Sequence, residues 1–246
     1  MRNVVVTGGS RGLGLGLGRA LAAAGYHVVA IARSPSAELD AAIEEAGRVG
    51  VGSISFRAFD LSDLGSIPDF VRGMRKDVGP FYGLVNNAGL GTSGVLATMP
   101  DTAIERLVQL NTLSPILLTK YVVRSMMANR ERGGRIVNVS SVVSITGFNA
   151  LSVYSATKAS LVGFTRSLAR EVGPLEITVN AIAPGFVDTN MTEGLDAEQR
   201  ERIARRSALR RLIDVEDVAH TVRFLVSEDA RNITGTVVTV DAGSTA

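Results

Sequence analysis

Tyr154 and Lys158 are four residues apart, inside Tyr154-Ser155-Ala156-Thr157-Lys158. In a helix that spacing stacks two side chains on one face, about 5–6 Å apart at Cβ. A phenol beside an ammonium forms an acid/base pair. An unperturbed Tyr ionises near pH 10, so work near pH 7 needs about 4 kcal/mol. A unit charge ~4 Å away at an effective dielectric of ~20 supplies about that much. The ordinary alternative is a helix-surface pair. Against it, the chain holds only four Tyr and three Lys, its other basic residues being Arg. Arg would serve a surface pair equally, but it cannot exchange protons. A Ser pair, Ser140-Ser141, precedes Tyr154 and offers a hydroxyl to the same chemistry.

A second constellation opens the chain. The β-branched run Asn3 to Thr7 ends in Thr7-Gly8-Gly9-Ser10-Arg11-Gly12-Leu13-Gly14, and an apolar helix follows through Ala24, with Gly25 at its end. A Gly-rich turn between a strand and a helix N-terminus suits a phosphate, because free N–H groups and the helix dipole both favour an anion. The pattern G-x-G-x-x-G fails in every frame, and no Lys follows Gly14 to complete a P-loop. G-x-S-x-G does match at Gly8 to Gly12, which offers Ser10 as a hydrolase nucleophile with His220 as partner. That match begins at the first strand, with no earlier strand and loop to supply a second oxyanion donor. Gly16 and Gly18 each cost a helix interior about 1 kcal/mol; either they allow close packing of helix on sheet or they are simply tolerated. The second strand, His27 to Ala32, ends in Arg33-Ser34 with no acid until Glu38. A carboxylate there would accept the ribose 2′-OH of NAD; Arg33 with Arg11 suits the extra phosphate of NADP. The expected cofactor is therefore NADP(H) in preference to NAD(H).

The elements that position these residues alternate. Helices are expected over Ala37 to Val49, Leu64 to Val78, Asp101 to Leu110, Leu113 to Arg130, Ser152 to Val172 and Asp214 to Val226. Strands are expected over Ser53 to Ala58, around Leu84-Val85, and over Arg135 to Ser140, Ile177 to Ile182 and Thr236 to Val240. Strict alternation predicts an α/β fold of Rossmann type: a doubly wound parallel sheet, helices on both faces, right-handed crossovers and a single domain over 1–246. The polar stretch 187–211 reads as a substrate lid. Its Arg-rich part, Arg200 to Arg211 with Glu198 and Glu201, reads as a solvated helical face rather than a nucleic-acid surface.

Composition bounds the rest. The 246 residues include no Cys and two His, which excludes disulfides, thiolate zinc sites and Cys nucleophiles, and no metal site is expected. The N-terminus runs straight into a strand without a leader pattern, and no apolar run approaches the ~18 residues of a membrane span. The expectation is a cytoplasmic protein with no nucleic-acid or membrane partner.

These residues together resemble the short-chain dehydrogenase/reductases over essentially the whole chain. The carriers are Thr7-Gly8 with Gly12 and Gly14, Asp60, Asn86-Asn87-Ala88-Gly89, Asn111, Ser141, Tyr154, Lys158, and Pro184-Gly185 with Thr189. The resemblance implies that Tyr154 exchanges a proton with the substrate oxygen and that Lys158 lowers its pKa and holds the nicotinamide ribose. It implies that Ser141, thirteen residues before Tyr154, binds the carbonyl oxygen, and that Asn111 holds a proton-relay water. It also implies a cofactor site. Gly8, Ser10, Arg11, Gly12, Leu13 and Gly14 would receive the pyrophosphate side, with Arg33, Asp60 and Leu61 toward the adenosine. Asn87, Ala88 and Gly89 would line the middle, and Tyr154, Lys158, Pro184, Gly185, Val187 and Thr189 the nicotinamide end. Asp60 as a turn acid and the Asn pair as a loop tie are the ordinary alternatives.

Within the family the chain is most similar to bacterial 3-oxoacyl-[acyl-carrier-protein] reductases, through Ser141-Val142-Val143, Ser167 to Val172, Pro184 to Val187 with Met191-Thr192, and Ile233-Thr234-Gly235. The implied reaction is NADPH-dependent reduction of a 3-oxoacyl thioester by a homotetramer built through the long helices. Arg130 and Arg132 would meet an acidic carrier. A second basic position after Val172 is replaced by Gly173-Pro174-Leu175-Glu176, so acyl carrier protein, acyl-CoA and another small carbonyl or alcohol (sugar, steroid, cyclic alcohol) stay open as substrates. The C-terminus, Gly243 to Ala246, also departs from the usual end. A non-catalytic NADP-binding sensor or scaffold is the alternative of a different class.

Overall fold

The computed structural model describes residues 1–129, 133–187 and 197–246. Seven parallel strands form one sheet: β1 (Asn3–Thr7), β2 (His27–Ala32), β3 (Ser53–Ala58), β4 (Phe81–Asn86), β5 (Gly134–Val139), β6 (Ile177–Pro184) and β7 (Val237–Val240). Their spatial order is β3-β2-β1-β4-β5-β6-β7. The order reverses at β1, which pairs with both β2 and β4. In open α/β sheets that switch point leaves a crevice beyond the strand C-termini.

Both sheet faces are covered, so the central strands are apolar throughout rather than alternating. Val4 and Val6 face one core with Leu15, Leu17 and Leu21 of α1 (Gly12–Ala23), Leu39 of α2 (Ala37–Val49) and Val218, Val222 and Leu225 of α8 (Val215–Val226). Val5 points the other way. It joins Ile67 and Val71 of α3 (Ile67–Val78), Leu118 and Val122 of α5 (Ser114–Met127), and Leu168 and Val172 of α6 (Ser152–Val172). The period-2 alternation of strand side chains produces this division. α4 (Asp101–Val108) and α7 (Ala197–Arg206) are the remaining α-helices among the described residues.

Two expectations change. Leu64 to Ser66 forms a 3₁₀ turn rather than the start of α3. The two helices read around residues 110–113 are joined without a break: Gln109 to Leu113 is a π-helical turn in which Ser114 N donates to Gln109 O five residues back. Propensity places a weak point there, at Asn111 and before Pro115, but not the widened turn.

Gly16 has a different role from the one expected. A Cβ at Gly16 would lie 2.1 Å from Val215 Cγ1, whereas one at Gly18 would sit 3.6 Å from Val28 Cγ1, an ordinary contact. Gly16 therefore brings α1 against the first residue of α8, helix on helix.

Candidate active site

The β1–α1 turn lies at the switch point. Gly8 and Gly12 have φ of +67° and +53°, a region costly for any residue with a Cβ. A Cβ at Gly14 would lie 2.1 Å from Gly8 O and 2.6 Å from Asn87 Nδ2. The helix that follows has no side-chain cap at Arg11 and no acid in its first turn. Its orphan N–H groups thus have no internal acceptor from a cap, and open space lies beyond Gly12, where a Cβ would meet nothing within 4 Å. This cradle fits a pyrophosphate.

Thr7 organises the adjoining loop. Its Oγ1 accepts from Asn87 N at 2.9 Å and Ala88 N at 2.8 Å, and Asn87 Nδ2 donates to Thr7 O at 2.9 Å. Asn86 turns the opposite way, donating to Thr119 Oγ1 at 2.9 Å and Asn138 Oδ1 at 2.8 Å, and Asn138 continues the chain to Thr165 at 2.8 Å. The Asn pair therefore ties strands and helices together. Ala88 and Gly89 are left along the crevice.

Arg11 and Arg33, the residues expected toward the adenosine, are both exposed, and neither makes an ion pair among the described residues. The two turns that carry them are linked by Ser36, whose Oγ donates to Ser10 O at 2.5 Å and caps α2 by accepting from Leu39 N at 3.1 Å. Asp60 Oδ1 accepts from Ser62 N at 2.9 Å and Ser62 Oγ at 2.7 Å. These bonds, with the charges of Arg33 and Arg106 adding, lower its pKa. Asp60 is thus partly the turn acid. The side chain of Leu61 is 6% exposed and packed in the core with Val5 and Ile67, so a cofactor contact there would fall to its main chain. Leu13 is partly buried against the other core.

Tyr154 and Lys158 occupy one face of α6. Lys158 Nζ lies 5.7 Å from the Tyr154 ring centroid and donates to Val139 O at 3.0 Å. Lys158 is buried, and desolvation pulls its pKa from 10.5 down to about 8. The expectation that Lys158 lowers the Tyr154 phenol is not what the free protein presents. Burial raises the Tyr154 pKa, and only the Ser141 hydroxyl draws it back. The ammonium faces the ring and the Val139 carbonyl, and desolvation weighs on both groups. The two adjacent serines point apart. Ser140 Oγ donates to Lys158 O at 2.9 Å inside the protein, while half-buried Ser141 remains beside the phenol.

Asn111 is 1% exposed. Its carboxamide is engaged by protein groups: Oδ1 accepts from Leu90 N at 2.8 Å, and Nδ2 donates to Leu90 O at 2.9 Å and Thr157 Oγ1 at 3.2 Å. Both of its amide hydrogens are thus committed to protein groups. A Cβ at Gly89 would lie 3.2 Å from Asn111 Oδ1 and 3.4 Å from Lys158 Nζ, so these three residues converge. Thr7 and Thr157 are the positioning residues that spacing does not flag as partners, because their bonds span 80 and 46 positions.

Pro184 ends β6, Gly185 N donates to Val240 O at 2.8 Å, and Val187 forms a parallel bridge with Ile213. A Cβ on Gly185 would lie 2.9 Å from Asp241 Cβ. Thr189, Arg130 and Arg132 lie outside the described residues, as do 188–196 of the stretch read as a lid. His220, the partner required by a Ser10 hydrolase, is exposed on α8 and makes no hydrogen bond with Ser10.

A parallel sheet with an open Gly turn at its switch point, and a Ser–Tyr–Lys group at the same C-terminal edge, defines a nicotinamide-dependent oxidoreductase. The chain belongs to the short-chain dehydrogenase/reductase family. The family's sequence profile, described as short chain dehydrogenase, matches residues 2–200. It is 37% identical over 239 residues to the 3-oxoacyl-[acyl-carrier-protein] reductase of Escherichia coli, covering 97% of this chain and 95% of that protein. It is 34% identical over 242 residues to the reductase of that name from Staphylococcus aureus, covering 98% and 97%. A short-chain dehydrogenase from Burkholderia cenocepacia, solved in complex with NADP, superposes with a TM-score of 0.91 at 31% identity, covering 100% of this chain and 98% of that one. A short-chain dehydrogenase/reductase from Serratia marcescens gives 0.92 at 29%, with the same coverage. The chain is accordingly an enzyme acting on CH–OH or carbonyl groups. No helix among the described residues is long and apolar enough to cross a membrane.

Proposed function

We propose that the enzyme reduces a 3-oxoacyl thioester to the 3-hydroxyacyl thioester with NADPH. The observation that carries the reading is the convergence of Ser141, Tyr154 and Lys158 beside the open β1–α1 turn. The similarity to 3-oxoacyl-[acyl-carrier-protein] reductases supports the substrate class.

When bound, the cofactor supplies the hydride. The chain's own residues do the rest. Tyr154, held protonated at neutral pH by its surroundings, gives its proton to the carbonyl oxygen as negative charge develops there. Ser141 donates a second hydrogen bond to the same oxygen, and one such pre-positioned donor is worth about 10²–10³ in kcat. Lys158 has one N–H on Val139 O, which leaves two for the ribose hydroxyls and for returning a proton to Tyr154. Its pKa of about 8 suits that exchange. Asn111 locks the Gly89–Leu90 loop beside Lys158 and stands next to where a proton-relay water would serve that lysine. Gly8, Gly12, Leu13 and Gly14 admit the pyrophosphate, and Arg11 and Arg33 select the 2′-phosphate. Asp60 faces the adenosine, and Pro184, Gly185 and Val187 line the nicotinamide end.

The exposed Val108 and Leu113, at 37% and 44%, suit burial between subunits of a homotetramer in the cytoplasm. The test is the initial rate of NADPH oxidation, beside NADH, with a 3-oxoacyl-CoA and then with the acyl carrier thioester. Turnover favouring NADPH is expected. NADPH binding without thioester turnover would overturn the substrate and turn the search to sugars, simple ketones and cyclic alcohols.

A further inference from the structure

We propose that Asp241 is a positioning residue for the reaction: through the turn it builds at 241–245, it fixes the C-terminal end of α7 against the nicotinamide end of the site, and so sets the wall that the acyl substrate meets. The inference rests on the thioester reading of the active site for the identity of that substrate.

Asp241 stands where the strands place it beside the site. β7 runs parallel to β6, with Pro184 opposite Val240, and Gly185 N donates to Val240 O at 2.8 Å. Asp241 is the next residue, at the C-terminal edge of the sheet where Ser141 and Tyr154 also sit. A Cβ on Gly185 would lie 2.9 Å from Asp241 Cβ and 3.0 Å from its Cα. Asp241 is therefore packed on the Gly185 backbone itself.

Its carboxylate shapes the chain that follows. Oδ1 accepts from Gly243 N at 2.8 Å. Oδ2 accepts from Thr245 N at 2.9 Å, Thr245 Oγ1 at 2.8 Å and Ser244 Oγ at 3.0 Å. Burial raises the Asp241 pKa, but these hydrogen bonds outweigh burial and lower it. The turn so formed offers two carbonyls to the residues just beyond α7. Ala242 O accepts from Leu209 N at 3.0 Å, and Gly243 O accepts from Ala208 N at 3.3 Å. A Cβ on Gly243 would lie 2.7 Å from Ala208 Cβ, so the two turns touch directly. Buried Ser207, with Oγ 2.8 Å from Ala204 O, joins this contact to the last turn of α7.

Backbone strain gathers at the same contact. Ala242 and Arg210, one on each side of it, both have φ of +54°. Residues with a Cβ hold that conformation only where their surroundings over-determine it, and such positions cluster at functional sites. On the C-terminal side the Asp241 carboxylate supplies the determination. The segment that carries α7 is rooted a second time beside Gly185: Val187 bridges Ile213, and Ile213 N donates to Phe186 O at 3.4 Å. Asp241 thus adds a second tether at the same sheet edge. This gives a use to the C-terminal stretch that departs from the usual family end.

The experiment uses Asp241→Ala, Asp241→Asn and Ser244→Ala/Thr245→Val, with two readouts. Limited trypsin digestion reports on α7 without any turnover, because residues 200–211 hold six Arg. Cleavage there should be about tenfold faster in Asp241→Ala, while the Tm stays near that of the wild type. In the same variant the KM for a 3-oxoacyl-CoA should rise about tenfold, with kcat and the Kd for NADPH changing less than about twofold. Asp241→Asn, which keeps an acceptor for Gly243 N, should recover part of both effects. The Ser244→Ala/Thr245→Val pair should move both in the same direction by less, and it carries the test if Asp241→Ala does not fold. Parallel losses of Tm, kcat and NADPH binding would show a merely structural residue and overturn the proposal. Unchanged cleavage, or faster cleavage with an unchanged KM, overturns it too. Failure of the underlying reading is distinct: the wild type itself then turns over no 3-oxoacyl thioester, and the proposal falls with it although the tryptic difference stands.

Discussion

Asn111 is bonded in both directions to the backbone of one residue: its Oδ1 accepts from Leu90 N at 2.8 Å and its Nδ2 donates to Leu90 O at 2.9 Å. The same Nδ2 reaches Thr157 Oγ1, one position before Lys158. A single buried carboxamide thus joins the loop after β4, the π turn and α6. Asn111→Ala should cost about 1–3 kcal/mol, because it strands a backbone donor and acceptor without water. Urea unfolding measures this. Lost activity with an unchanged midpoint would mean that Asn111 acts on the chemistry alone.

Lys158 gives a pH dependence with a definite sign. Its pKa falls from 10.5 to about 8 on burial. Between those values the unfolded chain binds the extra proton, so stability rises with pH through the window. Below about 8 the penalty is present in full, on the order of 3 kcal/mol. Lys158→Met has no such group. The difference in unfolding free energy, wild type minus variant, should climb by roughly that amount between pH 7.5 and 10.5. Parallel curves would show that Lys158 is not desolvated.

Gly16 and Val215 form a pair that a double-mutant cycle can read. A Cβ at Gly16 would overlap Val215 Cγ1 at 2.1 Å. Gly16→Ala should destabilise by about 1–3 kcal/mol through overpacking, despite a gain of about 1 kcal/mol in helix propensity. Adding Val215→Ala makes room, and the double variant should melt above Gly16→Ala alone. Additive losses would place the strain elsewhere.

The sheet is legible in the sequence because its strands are short β-branched runs buried on both faces, as in Val4-Val5-Val6 and Val28-Val29. The helices are legible from period and end signals, the apolar run closed by Gly25 being the clearest. What escaped are relationships set by distant segments. The π turn at Gln109 to Leu113 answers to Leu90 and Thr157, not to local propensity. The spacing that marks Leu61 does not show that its side chain belongs to the core. The spacing of Tyr154 and Lys158 places them on one face, but their ionisation depends on burial by Val139 and the rest of the sheet edge, which spacing does not carry.

Arg33 and Arg11 determine cofactor choice in this reading. Arg33→Ala should raise the KM for NADPH by about 10–100-fold, the loss of one charge-assisted hydrogen bond of about 1.5–3 kcal/mol. The KM for NADH should change little. Equal effects on the two cofactors would remove Arg33 from the phosphate site.

Tyr154 separates two physical effects that point in opposite directions. Charge from Lys158 favours the phenolate; burial favours the phenol. In the free protein burial dominates, and the Tyr154 pKa lies above its ordinary value of 10.0. A neutral phenol is the form needed to donate a proton during reduction. Tyr154→Phe should therefore cut turnover by about 10²–10⁴ while NADPH still binds. The ultraviolet phenolate spectrum, wild type minus Tyr154→Phe, isolates this one residue from Tyr26, Tyr82 and Tyr121. Its midpoint should lie above pH 10, and Ser141→Ala should raise it further, since Ser141 is the group that draws the phenol down. A midpoint near neutrality would mean that the Lys158 charge prevails and that the residue rests as a base.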